Sequence, residues 1–134
     1  MKYNDVNWQD RFEIKESSKE NAGRGVFVKT NIKKGEHIGY YTGKVLNAKQ
    51  IQREPYVSSS YLVQVTHNYF ILGEGKGINF VSFINHCSKP NAELVVSNRW
   101  KTARIVALKK IKKGEEIYYN YSDEYWENIG KTPK

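Results

Sequence analysis

The sequence predicts a mainly β fold with few, short helices. Three observations carry that expectation. Short runs rich in Val, Ile, Tyr and Phe recur along the chain, and such residues suit a half-buried pleated surface. Gly, Asn and Ser interrupt these runs at close intervals, as turns require. No long helical pattern alternates with the strands, so the βαβ rhythm of a parallel sheet is missing. A chain of 134 residues suits one domain.

Taken in order, residues 1–10 are polar apart from large aromatics such as Tyr3 and Trp8, and read as an N-terminal arm docked on the body. Residues 12–15 alternate apolar and charged, which fits a short strand. A polar loop over 17–22 precedes a strand at 25–29, where Val26 and Val28 are β-branched. Two turns nearly repeat each other: Ile32-Lys33-Lys34-Gly35-Glu36 and Ile111-Lys112-Lys113-Gly114-Glu115. Each glycine supplies a positive φ, and the isoleucines anchor the flanking strands. One strand is expected over 38–45. Asn47 caps a short helix over 48–53, which Pro55 stops. Strands follow at 61–65 and 69–72, then a glycine loop at Gly73, Gly75 and Gly77 that lacks the context of a phosphate-binding fingerprint. Residues 92–96 and 103–108 form a hairpin pair. The last strand runs over 117–121, and 123–128 is one turn of helix or an aromatic tail.

Composition bounds the function. Nothing at the N-terminus resembles a signal peptide, and no apolar run approaches the ~20 residues of a membrane helix. The single cysteine, Cys87, leaves no partner for an intramolecular disulfide and no multi-cysteine zinc cluster. An intracellular working place is expected, with no membrane contact. The formal charge of +8 favours anionic surroundings such as nucleic acid or acidic protein faces, and equally a solvated surface. The basic residues are scattered, with no block of five or six.

The most informative stretch is Phe83-Ile84-Asn85-His86-Cys87-Ser88-Lys89-Pro90-Asn91. There an apolar run ends in side chains that bond backbone, a costly arrangement in a core unless something binds there. Asn-His-x-x-x-Pro-Asn after an aromatic-Ile pair resembles the central signature of the SET-domain lysine methyltransferases. Gly114-Glu115-Glu116-Ile117-Tyr118-Tyr119-Asn120-Tyr121 resembles that family's last motif. Gly23-Arg24-Gly25-Val26-Phe27 and Tyr41-Thr42-Gly43 resemble its first ones. The motifs occur in the family's order and span nearly the whole chain. The resemblance implies several small sheets around a C-terminal pseudoknot. It implies a single SET domain over 1–134, with an arm at 1–11, a core at 12–121 and a tail at 122–134 that closes the site. Cysteine-rich zinc flanks are lacking, as in the family's short stand-alone members.

The implied reaction moves a methyl group from S-adenosylmethionine to a lysine amine of a protein, with a histone among the candidate substrates. A free lysine has a pKa of about 10.4, so the site must desolvate and deprotonate it and align it with the methyl. Tyrosines suit that task, since their faces hold an ammonium and their hydroxyls orient an amine. The resemblance assigns Tyr121 to orient the amine, Tyr41 and Tyr61 to the channel, and Tyr119 to the position that tunes how many methyls fit. It assigns Gly23, Arg24, Gly25, Tyr61, Asn85, His86, Tyr121 and Trp126 to the cofactor, and no metal. Viewed singly, tyrosines at alternate strand positions more often pack than catalyse. Three departures stand out: Cys87 and Ser88 are swapped, Asn120 replaces the usual Asp, and Lys44 replaces a common acid. A second reading remains open: a SET-like module of weak turnover that binds chromatin or nucleic acid through its basic surface.

Overall fold

The computed structural model describes residues 7–20, 22–59 and 61–120. Ten short strands make three sheets, and the only helices among the described residues are single 3-10 turns. β1 (Phe12–Glu16) and β2 (Arg24–Val28) form an antiparallel pair. β4 (Lys44–Leu46), β5 (Leu62–Thr66) and β6 (Tyr69–Leu72) form a three-stranded sheet with β6 central. The largest sheet has the order β3-β9-β8-β10-β7, from β3 (His37–Tyr40), β9 (Thr102–Ala107), β8 (Ala92–Ser97), β10 (Tyr118–Tyr119) and β7 (Asn85–His86).

The mainly β expectation holds, and so do the 92–108 hairpin and the positive φ of Gly35 (83°) and Gly114 (92°). Two local expectations change. The strand expected over 38–45 is two strands in different sheets, β3 and β4. The chain leaves the five-stranded sheet at Tyr41 and passes Gly43 close to β6. A Cβ on Gly43 would lie 1.8 Å from the Leu72 carbonyl oxygen, so only glycine permits that crossing. The helix expected over 48–53 is a 3-10 turn at Gln50–Gln52. Asn47 still caps it: Gln50 N–H donates to Asn47 Oδ1 at 2.8 Å, and Asn47 N–H donates back to Gln50 Oε1 at 2.8 Å.

One core joins the sheets. Val26, Ile32, Ile105, Ile111 and Ile117 are fully enclosed, with Phe12 and Phe80 beside them. Trp8 stacks on Phe80 at 4.9 Å, and Phe80 on Phe12 at 5.0 Å, so the chain just before β1 is pinned to the same core.

The C-terminal strand lies inside the loop that the central motif makes. β10 runs parallel to β7 on one side and β8 on the other. Tyr119 O accepts from Cys87 N–H at 3.0 Å, and Tyr118 O from Asn91 N–H at 3.1 Å, so the turn survives the Cys87/Ser88 swap. Asn91 adds its side chain: Nδ2 donates to Glu116 O at 2.9 Å, and Oδ1 accepts from Tyr118 N–H at 2.8 Å. The resemblance implied this insertion between two earlier strands. Residues 121–134 lie outside the described residues, and with them the C-terminal end of the expected last strand and the 123–128 helix.

Both ends of the Asn91 amide are used, so the two obvious variants should differ. Asn91→Asp loses the donor and sets a carboxylate against the Glu116 carbonyl. It should destabilise the fold by about 2–4 kcal/mol, more than Asn91→Gln, in urea unfolding at neutral pH. Equal midpoints for Asn91→Asp and the unaltered chain would show that the clamp carries no stability.

Candidate functional site

Gly23 starts the site. Its φ of 72° lies in the left-handed region, and it turns the 17–22 loop into β2. The segment 115–117 runs antiparallel beside β2: Ile117 N–H donates to Val26 O at 2.8 Å and Val28 N–H to Glu115 O at 3.0 Å. That register lays the Glu116 side chain over Gly25. A Cβ on Gly25 would sit 2.1 Å from Glu116 Oε2 and 3.1 Å from Asn85 Nδ2, so the absent side chain is the space the carboxylate fills.

Glu116 is buried (5% exposed), and it is held by neutral donors. Oε1 accepts from Ser18 N–H at 2.9 Å, Ser18 Oγ at 2.7 Å and the Tyr118 hydroxyl at 2.7 Å. Oε2 accepts from Ser17 Oγ at 2.7 Å and Asn85 Nδ2 at 3.1 Å. Burial alone would raise its pKa, but the hydrogen bonds from Tyr118, Ser17 and Ser18 together outweigh it and hold the pKa below the ordinary glutamate value. Tyr118 is pushed up, by burial first and then by its bond to that carboxylate, against the opposing pull of Ser18. Its hydroxyl is therefore a donor throughout the physiological range.

The carboxylate fastens the 17–19 loop to the knot, and Lys19 repeats the fastening. Its Nζ donates to His86 O at 2.9 Å and lies 5.7 Å from the centre of the Tyr118 ring. The second hydrogen of the Asn85 amide goes to Arg24 O at 2.8 Å. An open cleft of about 710 Å³ lies over this assembly, lined by the run from Glu16 to Glu20 with Gly23 and Arg24. Its rim carries both signs of charge.

Of the residues expected for the cofactor, Gly23, Arg24, Gly25, Asn85 and His86 come together here. Tyr41 and Tyr61 form a second group. Tyr41 is buried, its hydroxyl donates to Tyr61 O at 2.7 Å, and its ring fills the space where a Cβ on Gly73 would be, 2.0 Å from the hydroxyl. Tyr61 is 40% exposed. Tyr119 is buried on β10, its backbone opposite His86. Lys44 turns to Tyr56, whose hydroxyl lies 3.0 Å from its Nζ. Tyr121 and Trp126 lie outside the described residues. Sequence reasoning missed Ser17, Ser18, Lys19 and the hub role of Glu116. The available signal was a Ser-Ser pair just before Gly-x-Gly, and an acid set directly before a strand-forming Ile117-Tyr118-Tyr119 run.

The depressed pKa fixes the sign of a pH effect. A carboxylate more acidic when folded stabilises fully above its unfolded value, about 4.3, and loses that contribution as pH falls through the folded value. Glu116→Gln should therefore cost about 1–3 kcal/mol at pH 7 and much less near pH 3. Urea midpoints at the two pH values check this. A penalty that does not shrink in acid would mean that the charge contributes nothing.

Comparison with known proteins agrees with this geometry. A family model described as SET domain matches residues 23–122. The chain is 37% identical, over 90% of its length, to the variant-silencing SET domain-containing protein of Plasmodium falciparum. It is 31% identical, over 82%, to a human histone-lysine N-methyltransferase specific for H3 lysine 36. It spans only 5% and 4% of the length of these two relatives. Among solved structures, a humanized mutant of the Chaetomium thermophilum Polycomb Repressive Complex 2, bound to an inhibitor, superposes with a TM-score of 0.72 at 26% identity. That match covers 84% of this chain and 15% of the other. The motif order, the inserted C-terminal strand and these matches lead to one conclusion: the chain belongs to the SET domain family.

Proposed function

We propose that the chain is a protein-lysine N-methyltransferase that uses S-adenosylmethionine, with a histone as substrate. One observation carries the reading. Asn85 and Arg24, 61 positions apart, meet at 2.8 Å beside the glycine over which Glu116 lies, at the edge of an open cleft. The residues present fit the cofactor. Glycine at 23 and 25 lets backbone approach a ligand closely. Both amide hydrogens of Asn85 are spent on protein groups, which leaves Oδ1 to accept from the ammonium of a methionyl end. Arg24 and Lys19 beside the cleft supply cations for its carboxylate. His86 supports the same turn, and Trp126 is the proposed cover for the adenine.

Bound there, S-adenosylmethionine supplies an electrophilic methyl on a sulfonium. The protein's part is to desolvate the substrate amine, orient it and exclude water. In this reading Tyr41, Tyr61, Tyr119 and Tyr121 line the lysine channel, and Tyr121 orients the amine. The relatives' names point to histones and so to work in the nucleus. The nearest rival is a SET-like module that binds without turnover.

Calorimetric titration with S-adenosylmethionine should show one site per chain, and radiolabelled methyl should pass to a lysine in a histone mixture. Tyr121→Phe should cut turnover by about a hundredfold or more while cofactor affinity changes little. Binding without transfer would favour the rival module, and a folded chain that takes up no cofactor would overturn both.

Product number is a separate matter. A hydroxyl at Tyr119 fills space that a methylated amine needs in order to turn its lone pair to the sulfonium. Val63, where related enzymes often carry an aromatic, leaves room on another side. On balance the unaltered chain should release mainly monomethyllysine, and Tyr119→Phe should shift the product towards di- and trimethyllysine. Mass spectrometry of a product peptide at long times decides it, and dominant trimethyllysine from the unaltered chain would refute the assignment.

A further inference from the structure

The near-repeat turns at 32–36 and 111–115 have no part in the cleft, yet the fold sets them side by side. Ile32 and Ile111 exchange both backbone hydrogen bonds, at 2.8 and 2.9 Å. His37 pairs with Val106 in the same antiparallel register. Between these two points both stretches leave the ladder as turns, with Lys33 and Lys34 on one and Lys109 and Lys110 on the other. Gly35 N–H donates to Ala107 O at 2.8 Å and Ala107 N–H to Glu36 O at 3.0 Å, which pins the stretch between. Beyond Ile111, Lys113 N–H donates to Asn31 Oδ1 at 2.8 Å and keeps Lys112 and Lys113 beside the first turn. All six lysines are exposed.

The acids in the two turns do not neutralise them. Glu36 accepts from Lys33 N–H at 3.0 Å and pairs with Arg11, and Glu115 accepts from Lys112 N–H at 2.6 Å. Both carboxylates thus close turns on backbone. Among the described residues, none of the six ammonium groups has an ion-pair partner. Like charges gathered on neighbouring turns repel one another and destabilise the compact state. The buried isoleucines do the anchoring, so the fold has no need of lysine at these positions.

We propose that this six-lysine face docks on the phosphate backbone of double-stranded nucleic acid. The composition separates this partner from an acidic protein. Protein interfaces centre on aromatic and apolar anchors, whereas residues 29–36 and 107–115 include no aromatic side chain. Lysine is a compact point charge that meets phosphate without demanding a planar partner. A duplex offers one phosphate per ~1.7 Å of axis, so a face of unneutralised ammonium groups finds partners in any register. Contact of this kind carries no base specificity. The face also lies at the Val28 end of β2, where Gly114 N–H bonds Val28 O at 2.8 Å, and the cleft lies at the Arg24 end. A duplex docked there leaves the cleft open.

Fluorescence anisotropy with a labelled DNA duplex of mixed sequence, across a salt series, tests this on the full chain. Six phosphate contacts predict a slope of log affinity against log salt of about −5. Replacing Lys33, Lys34, Lys109 and Lys110 together by Ala should weaken binding at least about tenfold and flatten the slope by about 3 to 4. Arg at the same four positions should restore binding, which also guards against a folding defect in the Ala set. A control that replaces Lys15, Lys49, Lys76 and Lys101 by Ala, with equal loss of charge, should stay within about twofold of the unaltered chain, because non-contacting charges contribute little to the slope. Three results would overturn the proposal: no binding of the duplex at low salt, equal losses in the two Ala sets, or tighter binding of polyglutamate than of the duplex.

Discussion

Asn91 does with one side chain what a strand does with its backbone. Its amide donates to Glu116 O and accepts from Tyr118 N–H, while its own N–H reaches Tyr118 O. The clamp holds a strand of two residues that could not hold itself. Much of the site follows from it. With Tyr118 fixed, Tyr119 lies opposite His86, and Glu116 comes to rest over Gly25. The loop that lines the cleft is therefore held by residues from much later in the chain, by Glu116 through Ser17 and Ser18 and by the His86 carbonyl through Lys19.

The choice of partners around Glu116 has a physical logic. A cation beside a buried carboxylate brings its own desolvation cost. Neutral hydroxyl and N–H groups lose far less on burial, and they come from elements that need fixing. Ser17 and Ser18 belong to the loop, Asn85 to β7, and Tyr118 to β10. The one charge therefore acts as a staple for three segments. Ser18 Oγ also lies 2.9 Å from the Tyr118 hydroxyl. Two hydroxyl protons serve three contacts in that triangle, so the geometry is set by the carboxylate rather than by the hydroxyl pair.

Much of this was legible in the sequence, and the illegible parts share a cause. Strand runs such as 69–72 and the 92–108 hairpin could be read because alternation and turn residues are local signals. The break between β3 and β4 could not, because periodicity does not say which sheet a strand joins. That depends on how closely Gly43 approaches the Leu72 carbonyl. The glycine pair and Asn85 stood out as motif positions. Glu116 did not stand out as a hub, since an acid in a lysine-rich stretch reads as a solvated side chain until Gly25 is laid beneath it. The lysines looked scattered for the same reason. They gather only when Ile32 pairs with Ile111 across most of the chain.

That gathering bears on a difficulty in the composition. A chain of formal charge +8 should repel a basic peptide substrate from its own cleft. The fold separates the two. Six lysines stand at the Val28 end of β2, and the cleft opens at the Arg24 end. A strand rises about 3.3 Å per residue, so the two ends of β2 are ~13 Å apart. The Debye length at physiological ionic strength is about 8 Å. The repulsion that the lysine face exerts at the cleft is therefore largely screened. Near the cleft, Glu16 and Glu20 offset Lys19 and Arg24. A face that attracts polyanions and a cleft that must admit a lysine can thus share a small domain, because the strand between them is longer than the reach of the charge in salt water.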